Sequence, residues 1–216
     1  MSDTRRMTSW LLLGLLTVVG AGAAVLGIVQ SPKNAALPNA VASTLAAPSY
    51  SEVLSEVLPQ GKQTEYLNFQ GPDRLGGYLQ SGNKRSYVVV IGSVLYQSLT
   101  VSSNVSTNHL TFYKQQARGT AASNDPAHNY LPYIKQAKNI TGSAGISSFS
   151  LTKSGEVGSF TYTVSGKYVS EFSLSVSQSS APVSSVQLDI SQIGTAPPVA
   201  LPTGAKVVAA PSGGVG

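Results

Sequence analysis

The chain has 216 residues, 42% hydrophobic and only 11% charged, which allows one domain with a real core plus a tether or tail. Its net charge of +5 is spread along the sequence without a basic run, so nucleic-acid binding is not implied. Having no cysteine, it can form neither a disulfide framework, a thiolate metal site, a Cys nucleophile nor an acylated N-terminal Cys, while ten Tyr among many Ser and Thr favour strands over helices.

Met1–Met7 carries Arg5 and Arg6, and the apolar run Leu11–Val29 after it is long enough to cross a hydrocarbon core of about 30 Å. Read as an uncleaved anchor, residues 1–30 form a cytoplasmic stub and a single transmembrane helix, with the rest extracytoplasmic because the arginines stay inside. Read as a signal peptide cut near Ala21-Gly22-Ala23, the same segment leaves a secreted domain. Both readings export the chain. Residues 31–48, rich in Ala, Pro and Ser, are expected to be a linker. Tyr50, Val53, Leu54, Val57 and Leu58 then fall at helical spacing with Glu52 and Glu56 opposite, which predicts a short amphipathic helix stopped by Pro59.

From Gln63 the period becomes two, and strands are expected over Glu65–Phe69, Arg74–Gln80, Arg85–Ile91, Ser93–Leu99 and Asn108–Lys114. Ser81-Gly82-Asn83 is a hairpin turn by composition. Asp125-Pro126 reads as a helix N-cap and first-turn pair, and Pro132 divides the segment up to Ile140 into two short helical turns, with Ile134, Ala137 and Ile140 facing the sheet. Ile146–Ser191 is a four-strand meander, because in Phe160, Tyr162, Val164 and again in Phe172, Leu174, Val176 every second side chain is apolar. The fold class is therefore α+β, mainly β, with a domain over 49–208 and a disordered tail at 209–216.

The order of a short helix, Gly71-Pro72-Asp73-Arg74, Val88-Val89-Val90-Ile91-Gly92 with Tyr96 after it, helical turns, and a meander ending in Ala196-Pro197-Pro198-Val199-Ala200-Leu201-Pro202 resembles the LppX/LprG lipid-carrier lipoproteins. These are similar in turn to the Lol and RseB-type domains. The resemblance implies a curved antiparallel sheet forming a half-open barrel, closed by helices, with a hollow for acyl chains. It also implies an acylated Cys anchor, which this chain lacks, so its tether would be Leu11–Val29.

Catalytic patterns are absent from the sequence. His109 and His128 have no partner at metal-ligand spacing and read as surface residues, there is no Gly-x-Ser-x-Gly, and Glu65, Asp73, Glu156, Glu171 and Asp189 are dispersed. No cofactor is called for. There remains the inward stripe Tyr87, Val89, Tyr96, Phe112, Phe149, Phe160, Tyr162, Phe172, Leu174, Val186 and Leu188, which is either a cavity lining for lipid or another apolar small molecule or a plain core. The expected function is a non-catalytic, membrane-tethered binding protein for such a ligand. The alternative is an RseB-like sensory module with a filled core that meets a membrane-protein partner.

Overall fold

The computed structural model describes residues 36–58, 61–143, 145–153, 156–178 and 181–210. The predicted span Leu11–Val29 and the tail beyond residue 210 lie outside them, and among the described residues no helix is long and apolar enough to cross a membrane.

The strands β1 (Ser49–Leu58), β2 (Gly61–Gln70), β3 (Arg74–Ser81), β4 (Lys84–Ile91), β5 (Val94–Ser98), β6 (Val101–Ser102), β7 (Thr111–Gln116), β8 (Thr141–Ser143), β9 (Ile146–Lys153), β10 (Glu156–Ser165), β11 (Tyr168–Gln178), β12 (Ala181–Ser191) and β13 (Lys206–Ala209) make one sheet. Its order is β13-β7-β5-β4-β3-β2-β1-β12-β11-β10-β9-β8, with β6 beside β4. The end strands β13 and β8 do not meet, so the sheet is a curved, non-closed half-barrel. Every pairing is antiparallel except β13 with β7. Tight turns fall where glycine supplies a positive φ, at Gly82 (57°) and Gly166 (59°).

Three helices and a 3-10 segment cap the inner face: α1 (Ala36–Leu45), α2 (Ala121–Asn124), α3 (Pro126–Tyr130) and the 3-10 stretch Leu131–Gln136. The cap bridges the two wings of the sheet, since α1 packs on β10 and β11 while α2 packs on β3. Asp125 is the N-cap of α3 with Pro126 in its first turn, and the chain passes into the 3-10 stretch at Leu131, as the two prolines dictate. Ile134 and Ala137 are buried as expected.

The inner face holds the main core, which runs from Leu37 to Ile190 and includes Leu54, Leu67, Phe69, Val88 and Val90. On the outer face Val89, Leu110, Phe112 and Val199 form a second core. Here the segment after Gly194 crosses back over the sheet as a strap. Val199 is its peg: its N–H donates to Gln70 Oε1 (3.3 Å), its carbonyl accepts from Arg74 Nη1 (3.3 Å), and its side chain sits over Gly76. A Cβ on Gly76 would lie 2.9 Å from Val199 Cγ1. Gly76→Val is therefore expected to unseat residues 196–209, seen as faster limited proteolysis of that segment, and Val199→Ala in the same chain should restore much of the protection. Elsewhere on the outer face Tyr66, Tyr78 and Tyr87 are direct cross-strand neighbours, the first two stacked at a centroid distance of 4.7 Å and the last two tilted at 5.6 Å, with Arg85 4.5 Å from the Tyr78 ring.

Three expectations need correction. Tyr50–Leu58 is not a helix but the central strand β1, paired on both sides by β2 and β12. Its acidic residues point inward with Tyr50 and Leu54, while Val53 and Val57 face out, so the apolar spacing that suggests a helix belongs to two faces of a strand. Residues 31–48 are not a linker throughout, because from Ala36 onward they form α1, which buries Leu37, Ala40, Val41 and Thr44 at i, i+3, i+4 and i+7. Pro38 is tolerated there because the first turn of a helix has no donor to lose. Finally, Ala209 belongs to β13, where Lys206–Ala209 run beside Thr111–Lys114, so the ordered domain extends beyond the predicted 49–208 at both ends.

Candidate functional site

Strand register sorts the inner face into tiers. Nearest the β9–β10, β11–β12 and β1–β2 turns, Leu151, Gly158, Val176 and Ser184 are neighbours across the strands, and all are half-buried. One tier deeper come Phe149, Phe160, Leu174, Val186 and Glu56, of which the first three are buried and the last two half-buried. The next tier, Tyr162, Phe172, Leu188 and Leu54, is 0% exposed, though on the β2–β3 side Glu65 and Leu79 stay half-buried. Among the described residues, the half-barrel is thus sealed under the cap, and burial falls off toward the turn end.

Of the eleven predicted lining residues, this geometry brings seven together and sends four elsewhere. Phe149, Phe160, Tyr162, Phe172, Leu174 and Leu188 are buried in the main core, and Val186 packs on its edge. Val89 and Phe112 lie in the outer-face core with Tyr87 and Tyr96 against it, on the opposite side of the sheet from any inner hollow. The reason is the pleat: Val88 and Val90 take the inner face of β4, which forces Val89 out. The aromatic members of the inner group also fill space against one another, with centroid distances of 4.8 Å for Phe149–Phe160, 5.0 Å for Tyr162–Phe172 and 5.7 Å for Tyr130–Phe172.

The turn end has apolar walls with a few polar groups converging on it. Leu79, Leu151, Val176 and Val186 line the sheet side, and Tyr133 leans from the cap onto Phe160 at 5.3 Å. Tyr130 Oη donates to Glu56 Oε1 at 3.2 Å. Burial raises the Glu56 carboxyl, an effect the Tyr130 hydroxyl partly offsets. Burial and the neighbouring Glu56 push Glu65 up to about 7. The Tyr130 phenol is raised by burial and by Glu56. By contrast, the depression lined by Asn83, Lys84, Thr100, Val101 and Ser102 measures about 160 Å³, below the several hundred Å³ of a ligand site, and lies around the β3–β4 turn.

A second polar group is buried where the cap meets β1. Asp125 Oδ2 accepts from Tyr50 Oη (2.6 Å), from the His128 backbone N–H (3.0 Å) and from His128 Nδ1 (2.7 Å), and Tyr50 Oη lies 3.0 Å from the same Nδ1. Glu52 Oε2 accepts from the Ala127 N–H at 3.2 Å. Asp125 is 0% and Glu52 1% exposed. Burial first, then the Asp125 charge, holds the Glu52 carboxyl well above the ordinary carboxylate range. The Tyr50 phenol is raised by burial and by both acids. His128, read from sequence as a surface residue, is only 24% exposed in its side chain and lies tilted against Phe69 at 5.0 Å, whereas His109 is exposed. Sequence reasoning missed this group because its members lie 75 residues apart. The available signal was the period of two in Tyr50, Glu52, Leu54 and Glu56, which places both acids beside core residues. Among the described residues no cluster of His, Asp and Glu could hold a metal ion.

Among the described residues, fold and site together define a β-rich, non-closed half-barrel with a sealed interior under short helices and half-buried apolar side chains toward its turn end. No family model and no curated protein matches the chain. Among solved structures, LprF from Mycobacterium bovis is similar at a TM-score of 0.49 and 14% identity, over 81% of this chain and 98% of that one. A likeness of that degree assigns neither family nor ligand.

Proposed function

We propose that the domain binds an apolar ligand of acyl-chain type at the turn end of the half-barrel, its mouth, between the strand residues Leu79, Leu151, Val176, Val186 and the cap residue Tyr133, and that it performs no catalysis. The carrying observation is the exposure gradient: apolar side chains at the mouth stay half-buried although the same strands bury their neighbours completely one or two tiers deeper. Each methylene withdrawn from water there contributes about 0.8 kcal/mol, so a chain needs few polar contacts to be held. In this reading Leu11–Val29 is an anchor in the cell membrane that keeps the domain on the extracytoplasmic side, close to its lipid source.

The test is to purify the full chain, extract it with organic solvent and identify the released molecules by mass spectrometry. Stoichiometric acyl lipid supports the proposal, provided Val176→Glu reduces it. A charge across the mouth that displaces two methylenes lowers affinity about tenfold, and because Val176 is half-buried the variant should keep the parent's melting temperature. Equal lipid in both proteins would assign it to the anchor and overturn the mouth. The interaction-module alternative draws on the aromatic interior, where Phe149, Phe160 and Phe172 pack on one another. It is supported instead if the chain extracts clean and resists loading.

A further inference from the structure

Glu52 Oε1 and Asp125 Oδ1 are both buried without a donor to accept from, an arrangement that two ionised carboxylates could not tolerate. Both carboxyls lean on the same turn of α3, Glu52 Oε2 on the Ala127 N–H and Asp125 Oδ2 on the His128 N–H, and a hydrogen carried by one of their four oxygens would give both orphan atoms a partner. We propose that Glu52 and Asp125 share a single proton, and that this proton is the latch holding the helical cap of α2, α3 and the 3-10 stretch on β1. The other contacts of the group converge on the same two acids. Asp125 caps α3, the Ala127 N–H is held by Glu52, and His128 and Tyr50 both lean on Asp125 Oδ2.

The titratable groups facing the pair are Tyr50 from β1, Glu65 from β2 and His128 from α3. No lysine or arginine is among them. Losing the proton therefore places a second negative charge beside the first in a buried site, and the cap should loosen. The consequence for the ligand rests on the mouth proposed above: Tyr130 and Tyr133 belong to the cap, so an unlatched cap opens the mouth toward the interior. The latch is closed at low pH and released as pH rises.

Linkage gives the same sign. An acid whose proton is held more tightly in the folded than in the unfolded chain stabilises the fold below its folded-state release, and that stability is lost as pH climbs through it, at about tenfold in the folding equilibrium per pH unit per proton. Glu65, which releases near 7, contributes the same slope only up to about that pH. The decisive comparison is therefore the full chain against Glu52→Gln at mildly alkaline pH. The glutamine amide can donate to Asp125 Oδ1 while its oxygen accepts from Ala127, with no proton to lose.

Expected are a stability that keeps falling with pH in the parent and a flatter profile in the variant, together with faster hydrogen exchange of residues 121–136 in the parent alone. A protonated-carboxyl stretch that persists in the parent's infrared spectrum above the release of Glu65, near 7, should vanish in the variant. Parallel pH profiles, or no such infrared band in the parent, overturn the latch. The infrared measurement on the parent stands even if the variant does not fold. None of these readouts needs a bound lipid, so the latch can fail while the mouth stands, and the reverse.

Discussion

Phe172→Ala is expected to cost about 3–5 kcal/mol of folding stability, read as a lowered urea midpoint at unchanged slope. Phe172 is fully buried on β11, directly across from Tyr162 on β10 and Leu188 on β12. It meets Tyr162 edge-on at 5.0 Å, Phe160 at 6.3 Å and, from the cap, Tyr130 at 5.7 Å. Removing the ring takes away its own transfer term of about 1.5–3 kcal/mol and leaves a void that three other aromatics cannot close by rotamer changes alone. The same truncation at the mouth, Val176→Ala, removes a half-buried group and should cost well under 1 kcal/mol. That contrast decides where a ligand can sit. If Phe172→Ala cost as little as Val176→Ala, the interior beneath the cap would be slack, and the binding site would extend from the mouth to the middle of the barrel.

Legibility in the sequence tracked which contacts are local. The meander was legible because Phe160, Tyr162, Phe172 and Leu174 alternate with Ser and Thr, and because Gly166 marks the hairpin between them. The broken helical turns of the cap were legible from Asp125-Pro126 and Pro132 for the same reason. The strand β1 was not. Glu52 and Glu56 point into the core, which inverts the usual polar-out pattern, and only partners some 75 residues away, the Ala127 N–H and Tyr130, make that burial tolerable. The stripe assigned to one cavity was divided for a related reason: a continuous apolar run such as Val88–Val90 is covered on both sides, and composition cannot say that the C-terminal strap supplies the second cover. The mouth was invisible at the sequence level, since half-burial of Leu151 or Val176 depends on where the cap stops.

The larger effect at the cap is expected from Asp125→Ala, at about 3–4 kcal/mol. Asp125 Oδ2 serves three donors, and a hydrogen bond to a buried charged group is worth about 1.5–3 kcal/mol when it is lost with its partner left behind. Losing the N-cap of α3 adds about 1 kcal/mol. These terms overlap, because the His128 backbone bond is itself the cap, so their full sum would overstate the loss. The damage should be local in space but not in sequence. The Tyr50 hydroxyl and the Glu52 carboxyl would both be stranded beneath α3, and hydrogen exchange should rise in residues 121–136 and in β1 while the β9–β12 wing, stapled by its own aromatics, keeps its protection. Asp125→Asn separates the two contributions. Its oxygen can still accept from Tyr50 and from the His128 N–H, and its amide can donate to Glu52, so it should retain the cap and cost about half as much. Should alanine and asparagine prove equally destabilising, the charge on Asp125 rather than its hydrogen-bonding shape would be the force that holds the cap down. The pairing of Tyr50 and His128 around it would then have to be explained as a buried ion pair.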